Sequence, residues 1–239
     1  MAGTAVEAEI RKFGALAARW WDPDGPMRPL HRMNPLRTRW IATRLARAHG
    51  RTGTDLSGLT LLDVGCGAGL ASEAFARFGA TVTGLDAAGE ALAAAREHAA
   101  AGGLDITYVE GGPETLLAAG QRFDAVVALE VIEHVEDRAT FCDALAQLVK
   151  PGAPVFLSTL NRTPRSFLMA KLGAEYLLRL LPIGTHDWRM FVTPGELGAA
   201  LKGAGLRVTD LAGMSMDPLS GSWRESRDLG VNYLAMAKA

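Results

Sequence analysis

Cysteine is scarce in this sequence: Cys66 and Cys142 are the only two among 239 residues. Two thiols exclude a disulfide framework, and their separation lacks the paired spacing of a zinc site, so both are expected to be reduced. A charge excess of either sign is missing too. The 25 Lys and Arg nearly cancel the 26 Asp and Glu, leaving a formal net charge of −1. That is not the basic balance of a nucleic-acid-binding surface, so no nucleic-acid partner is expected. No run of about 18 uncharged apolar residues occurs, so no membrane-spanning helix is expected. The first residues include Glu7 and Glu9 and no apolar stretch, so no secretory leader is expected; Gly3 stands one place too late for a myristoylation signal. Repeats and low-complexity tracts are also missing. What remains is a chain with 49% hydrophobic residues, enough for one full α/β core, expected in the cytoplasm.

Four regions differ in character. Residues 1–58 form an N-terminal arm, in which 5–19 read as a helix with Ile10, Phe13, Leu16 and Ala17 on one face. From Trp20 to Trp40 the prolines Pro23, Pro26, Pro29 and Pro35 argue against a continuous helix and for an ordered, extended arm. Residues 59–163 alternate strand and helix. Strands are expected at Thr60–Val64, Thr81–Leu85, Ile106–Val109, Phe123–Leu129 and Val155–Thr159, with helices at Leu70–Phe78 and Glu90–Ala101. Short apolar strands separated by helices imply an α/β fold with a Rossmann-like, doubly wound parallel sheet. Residues 164–188 break the rhythm as an insertion. Residues 189–239 then complete a sheet of about seven strands through Leu206–Leu211 and Val231–Ala237.

The strongest local signal is Leu61-Leu62-Asp63-Val64-Gly65-Cys66-Gly67-Ala68-Gly69-Leu70. Glycines leaving a strand turn sharply and let backbone N–H groups approach a ligand. Asp86 ends the next strand roughly 20 residues later, where a carboxylate can hold ribose hydroxyls. Both features point to an adenosine cofactor. A dinucleotide site would put its third glycine where Leu70 stands. Asp63, two residues before Gly65, would repel a pyrophosphate yet suits the positive aminoacyl end of S-adenosylmethionine, directly or through water.

The run Asp63-Val64-Gly65-Cys66-Gly67-Ala68-Gly69 resembles the first motif of class I methyltransferases. Trp20-Trp21-Asp22-Pro23 and Pro29-Leu30-His31-Arg32-Met33-Asn34-Pro35-Leu36-Arg37 narrow the resemblance to the ubiquinone-biosynthesis O-methyltransferases. The likeness continues through Ala80–Asp86, Glu130–Val135, Ser158–Arg162, Gly173–Tyr176 and Gly184–Asp187. Ala68 and Ala153 replace glycines common in that family, and Met27-Arg28 replaces its aromatic-led pair. The resemblance implies methyl transfer from S-adenosylmethionine to phenolic hydroxyls of polyprenylated rings, at 2-polyprenyl-6-hydroxyphenol and at 3-demethylubiquinol. It implies cofactor contacts at Arg37, Gly65, Asp86 and Leu129, to which the loop chemistry adds Asp63 and Gly67. Membership of a ubiquinone-synthesis complex follows from the same likeness. Two other readings share these motifs: a methyltransferase for a small soluble phenol, and a non-catalytic scaffold subunit of that complex.

Phe123–Leu129 runs into Glu130-Val131-Ile132-Glu133-His134, at the strand ends where doubly wound sheets bind ligands. A helical turn starting there would bring Glu130, Glu133 and His134 to one side. The resemblance implies a magnesium ion on these three. Magnesium prefers oxygen ligands, so His134 has a second reading as the general base for the phenol. The acidic start of a solvated helix is the plain alternative.

The insertion contains Ser166–Leu181, with Lys171, Glu175 and Arg179 on one stripe and Phe167, Leu168, Leu172, Leu178 and Leu181 apolar around it. Such a segment serves as a helical lid packed over the site, or lies in a membrane interface. The resemblance favours the second: anionic lipids would bind 166–181 and hold the enzyme peripherally on the inner face of the membrane.

Overall fold

The computed structural model describes residues 16–169, 188–217 and 221–239. Residues 5–15 of the helix expected at 5–19 lie outside them, its end Ala17–Arg19 being a 3₁₀ turn, and residues 170–187 of the insertion lie outside them too. The described residues build one eight-stranded sheet in the order β3-β2-β1-β4-β5-β8-β6-β7. Its strands are β1 (Thr60–Val64), β2 (Thr81–Asp86), β3 (Ile106–Glu110), β4 (Ala125–Leu129), β5 (Val155–Leu160), β6 (Arg207–Met216), β7 (Trp223–Ser226) and β8 (Asn232–Lys238). The first five pair in parallel; β8 enters antiparallel beside β5, and β6 and β7 pair antiparallel beyond it. The eighth strand is the short hairpin edge Trp223–Ser226, whose alternation is too brief to read from sequence.

Helices cover both faces: α1 (Arg28–Ala48), α2 (Leu70–Arg77), α3 (Gly89–Ala101), α4 (Pro113–Ala118), α5 (Arg138–Leu148) and α6 (Pro194–Gly203). Alternate strand residues feed opposite cores, as the pleat requires. Leu62, Val126 and Leu157 pack with Phe141, Leu145 and Leu148 of α5 and Leu197 and Leu201 of α6. Leu61, Val127 and Phe156 pack with Trp40, Ile41 and Leu45 of α1 and Phe75 of α2. Central strands such as β4, buried at every residue, are therefore continuously apolar.

The extended arm expected from Trp20 to Trp40 is overturned from residue 28 onward. Helix α1 runs through Pro29 and Pro35. Pro29 sits in the first turn, where its missing N–H is unpaired in any helix. Pro35 lies inside and removes a hydrogen bond, a cost of about 3 kcal/mol. Burial of Met33, Trp40, Ile41, Ala42, Leu45 and Ala46 against the sheet offsets it, at about 1.5–3 kcal/mol for each large side chain. Tertiary packing outweighs the local signal here. Across the sheet, Arg44 ties α1 to the β6–β7 edge through Asp210 (2.6 Å) and Glu225 (2.9 Å).

Strand order reverses between β1 and β4, so the loops leaving these two strands diverge and open a crevice at their carboxyl ends. The glycine loop leaves β1 there, and Glu130–His134 leaves β4.

Candidate active site

The glycine loop is closed by its own chain. Gly65 and Cys66 both donate to the Leu85 carbonyl, and Gly67 donates to Asp86 Oδ2 at 2.7 Å. Asp86 Oδ1 also accepts from Ala88 N–H at 2.8 Å. Burial raises the Asp86 pKa, against the pull of these backbone donors. A carboxylate offers about four acceptor positions, so capacity remains for a further donor.

Gly65 and Gly67 have φ of 68° and 54°, a region that side chains disfavour. The structure adds a reason unseen in the sequence: protein, not ligand, fills the space a side chain would take. A Cβ on Gly65 would meet Val131 Cγ2, and one on Gly67 would meet the Trp20 ring, each within 2.4 Å.

Asp63 is buried in β1, and burial pushes its carboxyl up to about 6, even though Ser72 Oγ donates to it at 2.6 Å and Arg37 lies close by. Arg37, 4% exposed, loses basicity to burial, while the charges of Glu130 and Asp63 restore part of it. Its Nε donates to Asn34 Oδ1 at 3.1 Å, and Asn34 Nδ2 donates to the Leu70 carbonyl at 2.8 Å. One buried guanidinium thus lies within electrostatic reach of the loops from both β1 and β4. Asn34 and Ser72, which orient Arg37 and Asp63, escaped the sequence reading. An amide one helical turn before Arg37 was their one available signal. Leu129 ends β4 with its side chain in the core beneath α1. The Cys66 thiol is raised by burial and stays neutral.

On the β4 side the expected helical turn does not start at Glu130. Glu130 has φ 56°, the one left-handed non-glycine among the described residues, and a 3₁₀ turn begins only at Ile132. Ser158 holds this strained corner: its Oγ accepts from Glu130 N–H at 3.2 Å and donates to Glu130 Oε1 at 2.6 Å. Glu133 is 3% exposed, and its Oε2 is buried with no hydrogen-bond partner. Burial and the charge of Glu130 drive its pKa well above the usual carboxylate range, while His134 pulls it down. His134 itself is half-buried.

The three side chains therefore sense one another, but they do not assemble the implied magnesium site. Among the described residues no three His, Cys, Asp or Glu side chains converge to hold a metal ion. The reversal at Glu130 breaks the i, i+3, i+4 register on which that convergence depends.

Among the described residues no helix is long and apolar enough to cross a membrane. Of the insertion, Pro164–Met169 and Trp188 are described. Phe167, Leu168 and Met169 are 38%, 56% and 51% exposed, beside Trp188, whose ring meets Phe167 edge-on at 6.0 Å.

The family described as "Methyltransferase domain" matches residues 62–157. Over its length the chain is 49% identical to a "Ubiquinone biosynthesis O-methyltransferase" of Methylobacterium sp. (strain 4-46), covering 99% of this chain and 96% of that one. It is 50% identical to a protein of the same name from Dinoroseobacter shibae, covering 97% and 95%. Among solved structures, the plantazolicin methyltransferase in complex with SAH aligns over 97% of this chain and 98% of that one, with TM-score 0.67 and 15% identity. The magnesium protoporphyrin IX methyltransferase of Synechocystis PCC 6803 with bound SAH aligns over 87% of this chain and 84% of that one, with TM-score 0.60 and 21% identity. These two show a shared fold.

Proposed function

Because the chain belongs to the ubiquinone biosynthesis O-methyltransferase family, we propose that it methylates phenolic hydroxyls of polyprenylated rings, 2-polyprenyl-6-hydroxyphenol and 3-demethylubiquinol among them. The observation that carries this reading is identity near one half along almost the whole of both chains. S-adenosylmethionine supplies the electrophilic methyl group. Asp86 holds the ribose hydroxyls with its remaining acceptor positions, and Asp63 with Arg37 receives the charged amino-acid end. The glycine loop brings backbone close enough for these contacts.

The acceptor comes from the β4–β5 side. A phenol with pKa near 10, judged by tyrosine, is a weak nucleophile at neutral pH. His134 takes its proton, and the charge it gains pulls down the raised pKa of Glu133, buried beside it. In-line positioning of the oxygen supplies much of the remaining rate. The arm, the core, the insertion and the C-terminal segment serve as parts of one domain.

Exposed Met190 lies beside Arg138 and Arg162, which reach the carbonyls of Met190 and Arg189, and exposed Phe167 meets Trp188, two residues before Met190. An apolar patch beside arginines fits peripheral binding to anionic lipid, from which a prenylated substrate would be drawn. Phe167→Ser with Leu168→Ser tests this: vesicle binding falls while turnover of a short-tailed phenol holds. Equal binding to anionic vesicles would count against the membrane role.

The test of the reaction follows labelled methyl from S-adenosylmethionine to a short-tailed demethylubiquinol, with a simple soluble catechol alongside. Preferential labelling of the quinol is expected. Labelling of the catechol alone would move the substrate class, and cofactor binding without any product would favour a scaffold.

A further inference from the structure

Trp20 and Trp21 lie on the glycine loop itself. Trp20, 6% exposed, rests its six-membered ring on Gly67, and its carbonyl lies 2.8 Å from His31 Nε2 at the start of α1. Trp21 Nε1 donates to the carbonyl of Ala68, within the loop, at 3.0 Å. The Trp21 ring stacks on His98 of α3, with centroids 3.4 Å apart and planes 2° from parallel. His98 Nδ1 is 2.6 Å from Oε1 of Glu73 in α2. An ionised carboxylate only accepts, so Nδ1 carries the hydrogen.

Glu73 itself has no exposed surface, and its other oxygen accepts from Arg77 at 2.8 Å. Burying a carboxylate is costly unless its partners stay in place. The series Glu73, His98, Trp21 and Ala68 therefore links two helices to the loop, and its two contacts at Trp21 depend on the arm's position. Gly67 stands between the arm and the cofactor side: the Trp20 ring fills the space its side chain would take, and its N–H serves Asp86. A displaced arm frees the loop on one side while Asp86 holds it on the other.

We propose that Trp21, His98 and Glu73 form a latch that holds the N-terminal arm on the glycine loop and so sets how tightly the adenosyl cofactor is bound. They are positioning residues, acting through the loop. The inference rests on reading that loop as the cofactor site.

The test uses the full chain with His98→Ala, His98→Phe, which keeps an aromatic face and deletes Nδ1, and Trp21→Leu. The His98 side chain is 39% exposed, so its variants should fold. Amide exchange of residues 17–27 without cofactor reads the arm directly, and calorimetry with S-adenosylhomocysteine reads affinity. In His98→Ala and Trp21→Leu, arm exchange accelerates about tenfold and the dissociation constant rises about tenfold, equivalent to about 1.4 kcal/mol. His98→Phe falls between these and the parent. In turnover, the change appears in the KM for S-adenosylmethionine and leaves the KM for the phenol in place. Faster arm exchange with parental affinity would reduce the latch to packing and overturn the proposal, as would unchanged exchange. Failure of the parent protein to bind S-adenosylhomocysteine is a different result: it overturns the cofactor reading, and the latch with it.

Discussion

The two loops that meet at the switch in strand order are built on opposite principles. On the β1–β2 side the carboxylates are anchored: Ser72 holds Asp63, and the Gly67 and Ala88 N–H groups hold Asp86. On the β4–β5 side Glu133 is buried with one oxygen unpartnered, and the amide oxygen of Asn161 is buried in the same condition. Native interiors rarely leave such atoms unsatisfied, because each costs about 1–3 kcal/mol. The first loop is preformed for a ligand common to many enzymes. The second carries stored electrostatic cost, the usual mark of a reacting centre.

Breaking either side at its centre should give the largest effects, each about 100-fold. Gly67→Ala meets both an unfavourable φ and the Trp20 ring. We expect about a 100-fold loss of S-adenosylhomocysteine affinity by calorimetry, in line with about 1–3 kcal/mol of backbone strain. A loss below threefold would mean that the loop tolerates what the packing forbids.

On the other side, Glu133→Gln separates chemistry from stability. It should lower kcat by about 10²-fold, the low end for a group assisting proton transfer. It should also stabilise the protein at pH 8. The folded Glu133 pKa is raised. Its stability contribution is therefore complete below the unfolded carboxylate pKa and is lost as pH rises through the folded value. Chemical denaturation across pH 4–9 should show a steeper alkaline fall for the parent than for Glu133→Gln. Parallel curves would remove the strain argument.

Asp63 obeys the same sign with a smaller shift. Its folded value of about 6 makes stability fall between about pH 4 and 6, and Asp63→Asn should flatten that interval. Cofactor binding runs the other way, because only the ionised carboxyl attracts the positive aminoacyl end. The KM for S-adenosylmethionine should rise as pH falls through about 6 in the parent. In Asp63→Asn it should start about tenfold higher and stay flat there. A pH-independent KM in the parent would contradict the role given to Asp63.

The smallest effect is expected at Ser158→Ala, which removes the bond to Glu130 Oε1. Stability should drop by about 1 kcal/mol, the usual net value of one hydrogen bond, and kcat by a few-fold. A drop above about 3 kcal/mol would show that Ser158 holds the whole turn and not one side chain.

Much of this was legible before folding. Short apolar runs gave β1 to β5 to within a residue or two, because a strand buried on both faces must be apolar throughout. Asp63, Gly65, Gly67 and Asp86 were readable because their spacing along the chain is itself the turn that forms the loop. Helix α1 was misread, since four prolines outweigh every other local cue until the sheet beneath Trp40, Ile41 and Leu45 is present. The Glu130–His134 turn was misread for a related reason. Whether a residue after a strand goes left-handed depends here on Ser158, 28 positions away.

Sequence alone determined the fold class, the family and the residues of the glycine loop, because each is written in local periodicity and short spacing. Tertiary structure decided how Arg37 reaches both loops, what fills the space above Gly65 and Gly67, and why Glu133 is buried with an unpartnered oxygen. Those depend on groups distant in the chain that only packing brings together, where burial sets the energy of each charge.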